Sequence, residues 1–253
     1  MRPNQERGNI IQARFGMSGI ALQNKLEALQ RVVLQDKKQL IAANHGRDLS
    51  QDTRLVAINN LFIFLGRTRM MIHFLGELLD DDWFDTNLPG LMQKDRIREA
   101  VSFENIIKYS FGMDFFTSIE TSFRIFLRAL DPTACKNGTD SFESIYQHLL
   151  GPKQLNLPTK DRSEAIELLN FVRVIRNLIH SGSVYSTADG RDKLMHYRGK
   201  IYTLHYGYPA DFVYWELLLT LADDIRQLMV KVVTHPNLAK IPQIIDPYAE
   251  HNW

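Results

Sequence analysis

Apolar residues recur every three or four positions along most of this 253-residue chain, the spacing that places them on one face of an α-helix. The same spacing predicts helices over residues 53–79, 94–108, 111–130, 140–150, 163–180 and 211–233. A first, long helix is predicted to end near Asn44-His45-Gly46, and its apolar stripe comprises Leu22, Leu26, Leu29, Val33 and Leu40. The sequence therefore predicts an all-α fold, a helical bundle.

Only one segment has the pattern expected of β-strands. Residues 193–207, "KLMHYRGKIYTLHYG", are rich in aromatic and β-branched side chains and carry Arg198-Gly199 at their centre. This pattern predicts one β-hairpin before the last long helix. The aspartate-rich stretch "DDDWFD", residues 80–85, is predicted to be a loop.

The division into domains is not marked by a clear linker in the sequence. We expect residues 1–108 to form an N-terminal helical arm or pair that packs on the main domain. The main domain then comprises residues 109–253, with its bundle and hairpin. A single domain is the alternative.

Charge and cysteine content narrow the function. The net charge is +1, whereas strong nucleic-acid binders usually carry a basic excess, so any contact with a polyanion must use a local patch. The single cysteine, Cys135, excludes an intrachain disulfide and a Cys-based zinc site. His148, His196 and His205 could join His180 in a metal site, but no two of them have the helical spacing of metal ligands, so no metal is expected. No Gly-rich phosphate loop appears, and no cofactor is expected.

The sequence gives no sign of export or membrane insertion. The N-terminus "MRPNQERGNI" lacks the apolar core of a secretory signal. The longest apolar run, residues 61–65, is far shorter than the ~20 residues that cross a bilayer. We therefore expect a cytoplasmic protein without a membrane partner.

The stretch "FVRVIRNLIHSG", residues 171–182, combines charge with an apolar helix pattern. Because a helix turns about 100° per residue, Arg173, Arg176, Asn177 and His180 fall within an arc of about 100°. The apolar residues of the stretch fall on the other side; they are Phe171, Val172, Val174, Ile175, Leu178 and Ile179. The prediction is a helix with a broad apolar face and a narrow polar one, ended by Gly182.

The narrow polar face carries the groups that a phosphate needs. An arginine grips phosphate with two parallel hydrogen bonds, a histidine moves a proton near neutral pH, and an asparagine adds one oriented hydrogen bond. Together they suit metal-free RNA cleavage, in which the 2′-hydroxyl of the RNA attacks the adjacent phosphorus and cations stabilise the developing charge. The alternative is a solvated or ion-paired helix face that meets Glu120 or Glu167.

"RVIRNLIHSG", near the end of a long helix in an all-α chain, resembles the HEPN superfamily, the higher eukaryote and prokaryote nucleotide-binding domains. The motif of that family is an arginine, usually followed by a polar residue, with four to six positions between the arginine and a histidine. Arg173 and His180 are separated by six residues, and Arg176-Asn177 resembles the "RN" pair of the family. The resemblance covers roughly residues 109–233.

The resemblance implies a two-fold homodimer whose motif helices face each other, and a metal-independent endoribonuclease of toxin–antitoxin or antiviral (anti-phage) systems. RNA is then the substrate, and an antitoxin or regulatory protein is a further partner. The implied catalytic residues are His180, Arg176, Arg173 and Asn177, with no metal or cofactor. Because some members are inactive, the alternative is a catalytically inactive, dimeric HEPN-like binding or scaffold protein.

Two further groups leave alternatives open. Glu120, Arg124 and Arg128 lie four residues apart, and form either a charged helix face or, through Glu120, a group that orients Arg173 or Arg176. Four tyrosines of the hairpin region, together with Lys193, Arg198 and Lys200, either stack on RNA bases and hold the RNA backbone or pack on the bundle. The tyrosines are Tyr197, Tyr202, Tyr206 and Tyr208.

Overall fold

The computed structural model describes residues 19–77, 81–135, 140–180 and 184–246. These described residues form eight α-helices and one antiparallel β-hairpin. The elements are α1 (Gly19–Ala43), α2 (Thr53–Glu77), α3 (Asp81–Asn87), α4 (Gln93–Leu130), α5 (Phe142–Leu149), α6 (Thr159–His180), β1 (Lys193–Tyr197), β2 (Lys200–Leu204), α7 (Trp215–Val233) and α8 (Pro236–Ala239). The predicted all-α bundle with a hairpin before the last long helix is confirmed.

Helix α4 is longer than predicted. The two helices expected over residues 94–108 and 111–130 are one continuous helix, so the domain boundary expected after residue 108 falls inside it. Gly112 weakens helical propensity at the junction, but packing compensates for it. A Cβ atom at Gly112 would lie 2.9 Å from Cδ1 of Ile179, so the glycine allows α4 to approach α6 closely.

Three other boundaries also differ from the prediction. The prediction of a loop at residues 80–85 is wrong, because α3 begins at Asp81. Aspartates are poor in helix interiors but favourable in a first turn, where the helix dipole is positive. Helix α6 begins at Thr159 rather than residue 163, and α7 begins at Trp215 rather than residue 211.

The N-terminal helices α1 and α2 pack along each other, and α2 packs against α4. Arg69 of α2 donates to Glu27 of α1 at 3.1 Å. Arg226 of α7 donates to Asp36 of α1 at 2.8 Å. The helical pair is thus joined to the rest of the bundle by polar contacts as well as by its apolar face.

Helix α2 is long and apolar enough to cross a membrane if length and composition are the only criteria. One such helix is weak evidence, because core helices of soluble proteins meet the same criteria. Arg54, Arg67 and Arg69 lie within α2, and the helix packs against α1 and α4. Charged residues of this kind are costly in the middle of a bilayer. The contacts place α2 within the helical bundle.

A buried ion pair, which we name the Asp52–Arg54 clasp, joins the start of α2 to the C-terminal segment. The side chains of Asp52 and Arg54 are 0% and 2% exposed, and Nη2 of Arg54 lies 2.6 Å from Oδ2 of Asp52. The same guanidinium donates to the carbonyl oxygens of Leu238, Ile241 and Pro242 at distances of 2.9, 3.1 and 3.3 Å. The buried charges are therefore both paired and hydrogen-bonded, which a buried pair requires.

Acid is expected to weaken the Asp52–Arg54 clasp. Burial raises the pKa of Asp52, but hydrogen bonds from Arg54 and from the backbone N–H of Ile244 outweigh burial and hold the pKa below its ordinary value of 3.8. A carboxylate with a lowered pKa stabilises the fold above its unfolded pKa, and this contribution is lost as the pH falls through the folded value, below about 4. The difference in unfolding free energy between wild type and Asp52→Asn, from urea titrations, should therefore shrink from about pH 6 to about pH 3. A difference that stays constant would contradict this expectation.

The turn of the β-hairpin is fixed to α6 and α7. Arg198 and Gly199 have φ angles of 51° and 70°, which suit a two-residue type I′ turn. The guanidinium of Arg198 makes two hydrogen bonds of 2.9 Å to Asp224 of α7, and its backbone N–H donates to Glu167 of α6 at 2.8 Å. Strand β1 is thereby held beside α6.

The hairpin tyrosines have different environments. Tyr197 stacks on Phe171 of α6 with ring centroids 4.8 Å apart, and Tyr202 meets the same ring edge-on at 4.9 Å. These two tyrosines pack on the bundle, which is one of the two expected roles. Tyr206 and Tyr208 follow β2 and are exposed.

Candidate functional site

Helix α6 places three of the four predicted site residues outside the core. Arg173 and Arg176 are half-buried, and Asn177 is exposed. The apolar residues between them face inward; the buried ones are Phe171, Val172, Val174, Ile175 and Leu178. The helix thus has a polar strip along its second half, as its register requires.

The fourth predicted residue, His180, is the last residue of α6. Its side chain lies outside the described part of the structure, as do residues 181–183, where the helix was expected to end with Gly182. The helical register alone places His180 one turn beyond Arg176 and two turns beyond Arg173.

Arg176 is held by a carboxylate from another helix. Its Nη1 lies 2.5 Å from Oε2 of Glu120 in α4, and Oε1 of Glu120 lies 3.2 Å from Nη2 of Arg124, one turn further along α4. Glu120 therefore bridges two arginines and sets the position of Arg176, as one of the sequence alternatives anticipated. Glu167, the other carboxylate considered, instead accepts from the backbone N–H of Arg198.

Arg173 has a different carboxylate partner. Its Nη2 lies 3.0 Å from Oε2 of Glu143 in α5. Tyr146, one turn later in α5, is fully buried and donates its phenol O–H to Oδ1 of Asn170 at 2.6 Å. Burial raises the pKa of Tyr146, and the negative charge of Glu143 raises it further, whereas Arg173 lowers it. Because the raising effects prevail, the phenol keeps its proton.

The pairing of these arginines is incomplete. Nε of Arg173, Nε of Arg176 and Nη1 of Arg124 are buried, and none has a hydrogen-bond partner among the described residues. Buried donors in proteins are usually satisfied, so each exception calls for an explanation. The three arginines face two carboxylates, Glu120 and Glu143, which gives this group a net charge of +1. It is the kind of local basic patch that a nearly neutral chain requires if it contacts a polyanion.

A groove of about 390 Å³ adjoins Arg173, and we name it the α6–β1 groove after the helix and strand that form its walls. Asn170 and Arg173 line it from α6, and Lys193, Met195 and His196 line it from β1. The groove therefore places a second basic side chain, Lys193, near the arginines. The sequence indicates Lys193 as a candidate contact for an RNA backbone, but its position beside Arg173 depends on how the hairpin docks.

A larger cleft, of about 560 Å³, lies between the first half of α6, the hairpin turn and α7. Its ionised groups already have partners. Asp224 binds Arg198, and Asp161 lies 3.4 Å from Lys231. None of the predicted site residues lines this cleft.

Three residues near the arginines were not found from the sequence: Glu143, Tyr146 and Asn170. Asn170 carries a usable signal, because it precedes Arg173 by three positions and so shares its helix face. Glu143 and Tyr146 lie in another helix, and only the packing of α5 on α6 brings them to the site. Within the described part of the chain, no group of three or more His, Cys, Asp or Glu side chains could hold a metal ion.

Comparison of the chain with protein-family models, with curated proteins and with solved structures finds no match. The resemblance to the HEPN superfamily therefore depends on the residues of α6 themselves.

Proposed function

We propose that this protein is a metal-independent endoribonuclease of the HEPN type that cleaves RNA at the polar strip of α6. The observation that carries the proposal is the state of Arg173 and Arg176. Each is partly exposed, with 30% and 27% of the side chain accessible, and each is oriented by a carboxylate from a neighbouring helix. Guanidinium groups held in this way are suited to binding phosphate bidentately.

In the proposed reaction, the RNA supplies its own nucleophile. The 2′-hydroxyl attacks the adjacent phosphorus, the bond to the 5′-oxygen breaks, and a 2′,3′-cyclic phosphate forms. His180 takes the proton from the 2′-hydroxyl, His180 of the second copy gives a proton to the departing 5′-oxygen, and the arginines stabilise the charge on the phosphoryl oxygens. Asn177 adds one oriented hydrogen bond to the phosphate or to the ribose.

The proposed setting is cytoplasmic, in a toxin–antitoxin or antiviral defence system, with an antitoxin or regulatory protein as a further partner. Uncontrolled RNA cleavage harms a cell, so a ribonuclease of this kind requires a partner that restrains it.

The proposed activity is tested with the purified chain and a fluorescent RNA in buffer that contains EDTA. Cleavage that continues in EDTA and leaves a 2′,3′-cyclic phosphate supports the proposal. Cleavage that requires an added divalent metal, or no cleavage at all, contradicts it. A DNA strand of the same sequence is the control, since it lacks the attacking 2′-hydroxyl and must remain intact.

A homodimer is expected, because the motif supplies one histidine per chain and acid–base cleavage is served better by two proton carriers. We expect the two copies of α6 to face one groove, so that both His180 residues act on the same RNA. Sedimentation velocity should show a dimer at micromolar concentration. A chain that is monomeric at this concentration and still cleaves RNA would contradict the expectation.

A second candidate function is that of a catalytically inactive HEPN-like dimer that binds a partner. The observation that favours it is that the carboxylates of Glu120 and Glu143 already occupy part of each guanidinium. Under this second function, the polar strip only stabilises the fold, through these ion pairs. Measuring both the unfolding free energy and the cleavage rate of a Glu120 variant distinguishes the two functions.

Replacing Glu120 with glutamine is expected to lower the unfolding free energy by about 1–2 kcal/mol, because two arginines lose a charged acceptor. Under the ribonuclease proposal it also lowers cleavage, since Arg176 loses its orientation. Glu164→Gln is the matched control, because Glu164 is exposed on α6 and its pairing with Lys160 at 3.8 Å is weak. If Glu120→Gln loses stability but cleaves RNA at the wild-type rate, the Glu120 contact is structural only.

A further inference from the structure

The α6–β1 groove has features that the proposed cleavage reaction does not use. Its walls come from one helix and one strand, and Val174 and Met195, both almost completely buried, supply an apolar floor. Polar and basic side chains lie around this floor: Asn170 and Arg173 on one wall, Lys193 on the other. An apolar floor with a few converging polar groups is the usual composition of a ligand site.

Asn170 is held in a fixed orientation at this groove. The 2.6 Å distance between the phenol oxygen of Tyr146 and Oδ1 of Asn170 is typical of an O–H donor and an oxygen acceptor. The amide oxygen is therefore occupied, and the amide NH₂ group remains as a hydrogen-bond donor. A donor of this kind pairs with the carbonyl oxygens and ring nitrogens of a nucleobase.

The groove presents two cationic side chains to a ligand. Arg173 and Lys193 line it together with the carboxylate of Glu167, and Glu143 pairs with Arg173 from outside the lining. Glu167 already accepts a hydrogen bond from the backbone N–H of Arg198, so it competes less for the two cations. A chain of phosphates that passes Arg173 would thus meet Lys193 next.

The dimensions of the groove select for single strands. Its volume of about 390 Å³ is near the lower end of the range for small-molecule sites, roughly 300–1,000 Å³. It accepts one nucleotide but not a base pair. A base can enter only if it is unstacked, as in loops and single strands of RNA.

We infer that the α6–β1 groove binds one unstacked nucleotide of a single-stranded RNA, next to the phosphate held by Arg173, and that Asn170 donates a hydrogen bond to its base. The inference rests on the proposed action of the α6 face on RNA. It assigns the hairpin a role in selecting substrate, since β1 supplies one wall of the groove.

The test measures binding rather than cleavage. The probe is a fluorescent single-stranded RNA in which every ribose is 2′-O-methylated, so that the proposed reaction cannot occur. Fluorescence anisotropy gives its affinity for the full chain, and the same strand annealed to its complement is the duplex arm. Adenosine and uridine monophosphates are added as competitors, which separates a strand site from a free-nucleotide site.

Asn170→Asp is the informative variant, because its carboxylate can still accept from Tyr146 but replaces the NH₂ donor with a charged acceptor. We expect it to weaken binding of the single strand about tenfold, and Lys193→Ala to weaken it about threefold. Lys200→Ala is the matched control, because Lys200 is exposed at the start of β2 and does not line the groove. The affinity of this variant for the single strand should change less than about twofold. Thermal melts of each variant confirm that the chain is folded.

Several results would overturn the inference: equal affinity for duplex and single strand, unchanged affinity in both Asn170→Asp and Lys193→Ala, or displacement of the probe by equimolar monophosphate. If these occur while the wild type cleaves unmodified RNA in EDTA, only the groove assignment fails. If the expected affinity pattern holds but no RNA is cleaved, the ribonuclease proposal fails and the groove remains an RNA-binding site.

Discussion

Replacing His180 with alanine is expected to lower the rate of RNA cleavage by about 10²–10⁴-fold, the usual cost of removing a positioned general acid or base. By its register, His180 lies one turn from Arg176 and two turns from Arg173, so it is the one residue of the motif that can share a phosphate with either arginine. It is also the last residue of α6 and falls outside the apolar stripe of that helix. The variant should therefore keep its melting temperature.

The arginines are expected to matter less individually than His180. Arg173→Ala and Arg176→Ala should each lose less activity, because the charge of one partly replaces that of the other, and Asn177→Ala should lose least. Arg176 has the additional role of pairing with Glu120, so its removal leaves that carboxylate with Arg124 alone. Arg176→Ala is accordingly expected to reduce stability more than Asn177→Ala.

The measurement is initial cleavage rates on a fluorescent RNA, with thermal melts run in parallel. His205→Ala is the matched control, since His205 is exposed, is bonded to Asp192 and lies after β2 rather than on α6. If His180→Ala cleaves RNA at the wild-type rate, or if the variant unfolds, the polar strip has a structural role only. Either result would favour the binding-protein function.

Replacing Arg54 with alanine is expected to lower the unfolding free energy by about 3–5 kcal/mol, because it leaves the carboxylate of Asp52 buried without a counter-charge. The substitution also removes the donor to three carbonyl oxygens of the C-terminal segment. Arg54→Lys should cost less, since it retains the charge but not the two parallel hydrogen bonds. Urea unfolding at neutral pH measures both.

The control for Arg54 is another arginine in an ion pair. Arg31 is 77% exposed and pairs with Glu27 on the same helix, so Arg31→Ala should change the unfolding free energy by less than about 1 kcal/mol. If Arg54→Ala costs no more than Arg31→Ala, the Asp52–Arg54 clasp does not hold the C-terminal segment in place.

The elements that the sequence predicts well are those that depend on local pattern. The stripe from Leu22 to Leu40 and the Arg198-Gly199 turn each specify their element within a few residues, and both are found where expected. The misplaced elements are those decided by packing. The sequence pattern predicts two helices, 94–108 and 111–130, whereas packing makes them one, and Gly112 within it makes room for Ile179.

The candidate site shows the same division. The angular positions of Arg173 and Arg176 follow from helical geometry and were predictable. Their partners are only partly predictable: the sequence points to Glu120 or Glu167, of which Glu120 pairs with Arg176, and it gives no indication of Glu143. A side chain's partners across helices depend on the register in which the helices pack, which a single sequence does not state.

The Asp52–Arg54 clasp also has a consequence for synthesis on the ribosome. Arg54 donates to carbonyl oxygens that lie 184 to 188 residues later in the chain. At a translation rate of about 5–20 residues per second, roughly 10–40 s pass before those acceptors exist. During this interval the side chains of Asp52 and Arg54 remain in water, because the segment that covers them has not yet been synthesised. The start of α2 therefore reaches its final burial only after residues 238–242 have been synthesised, so this part of the nascent chain stays open until then.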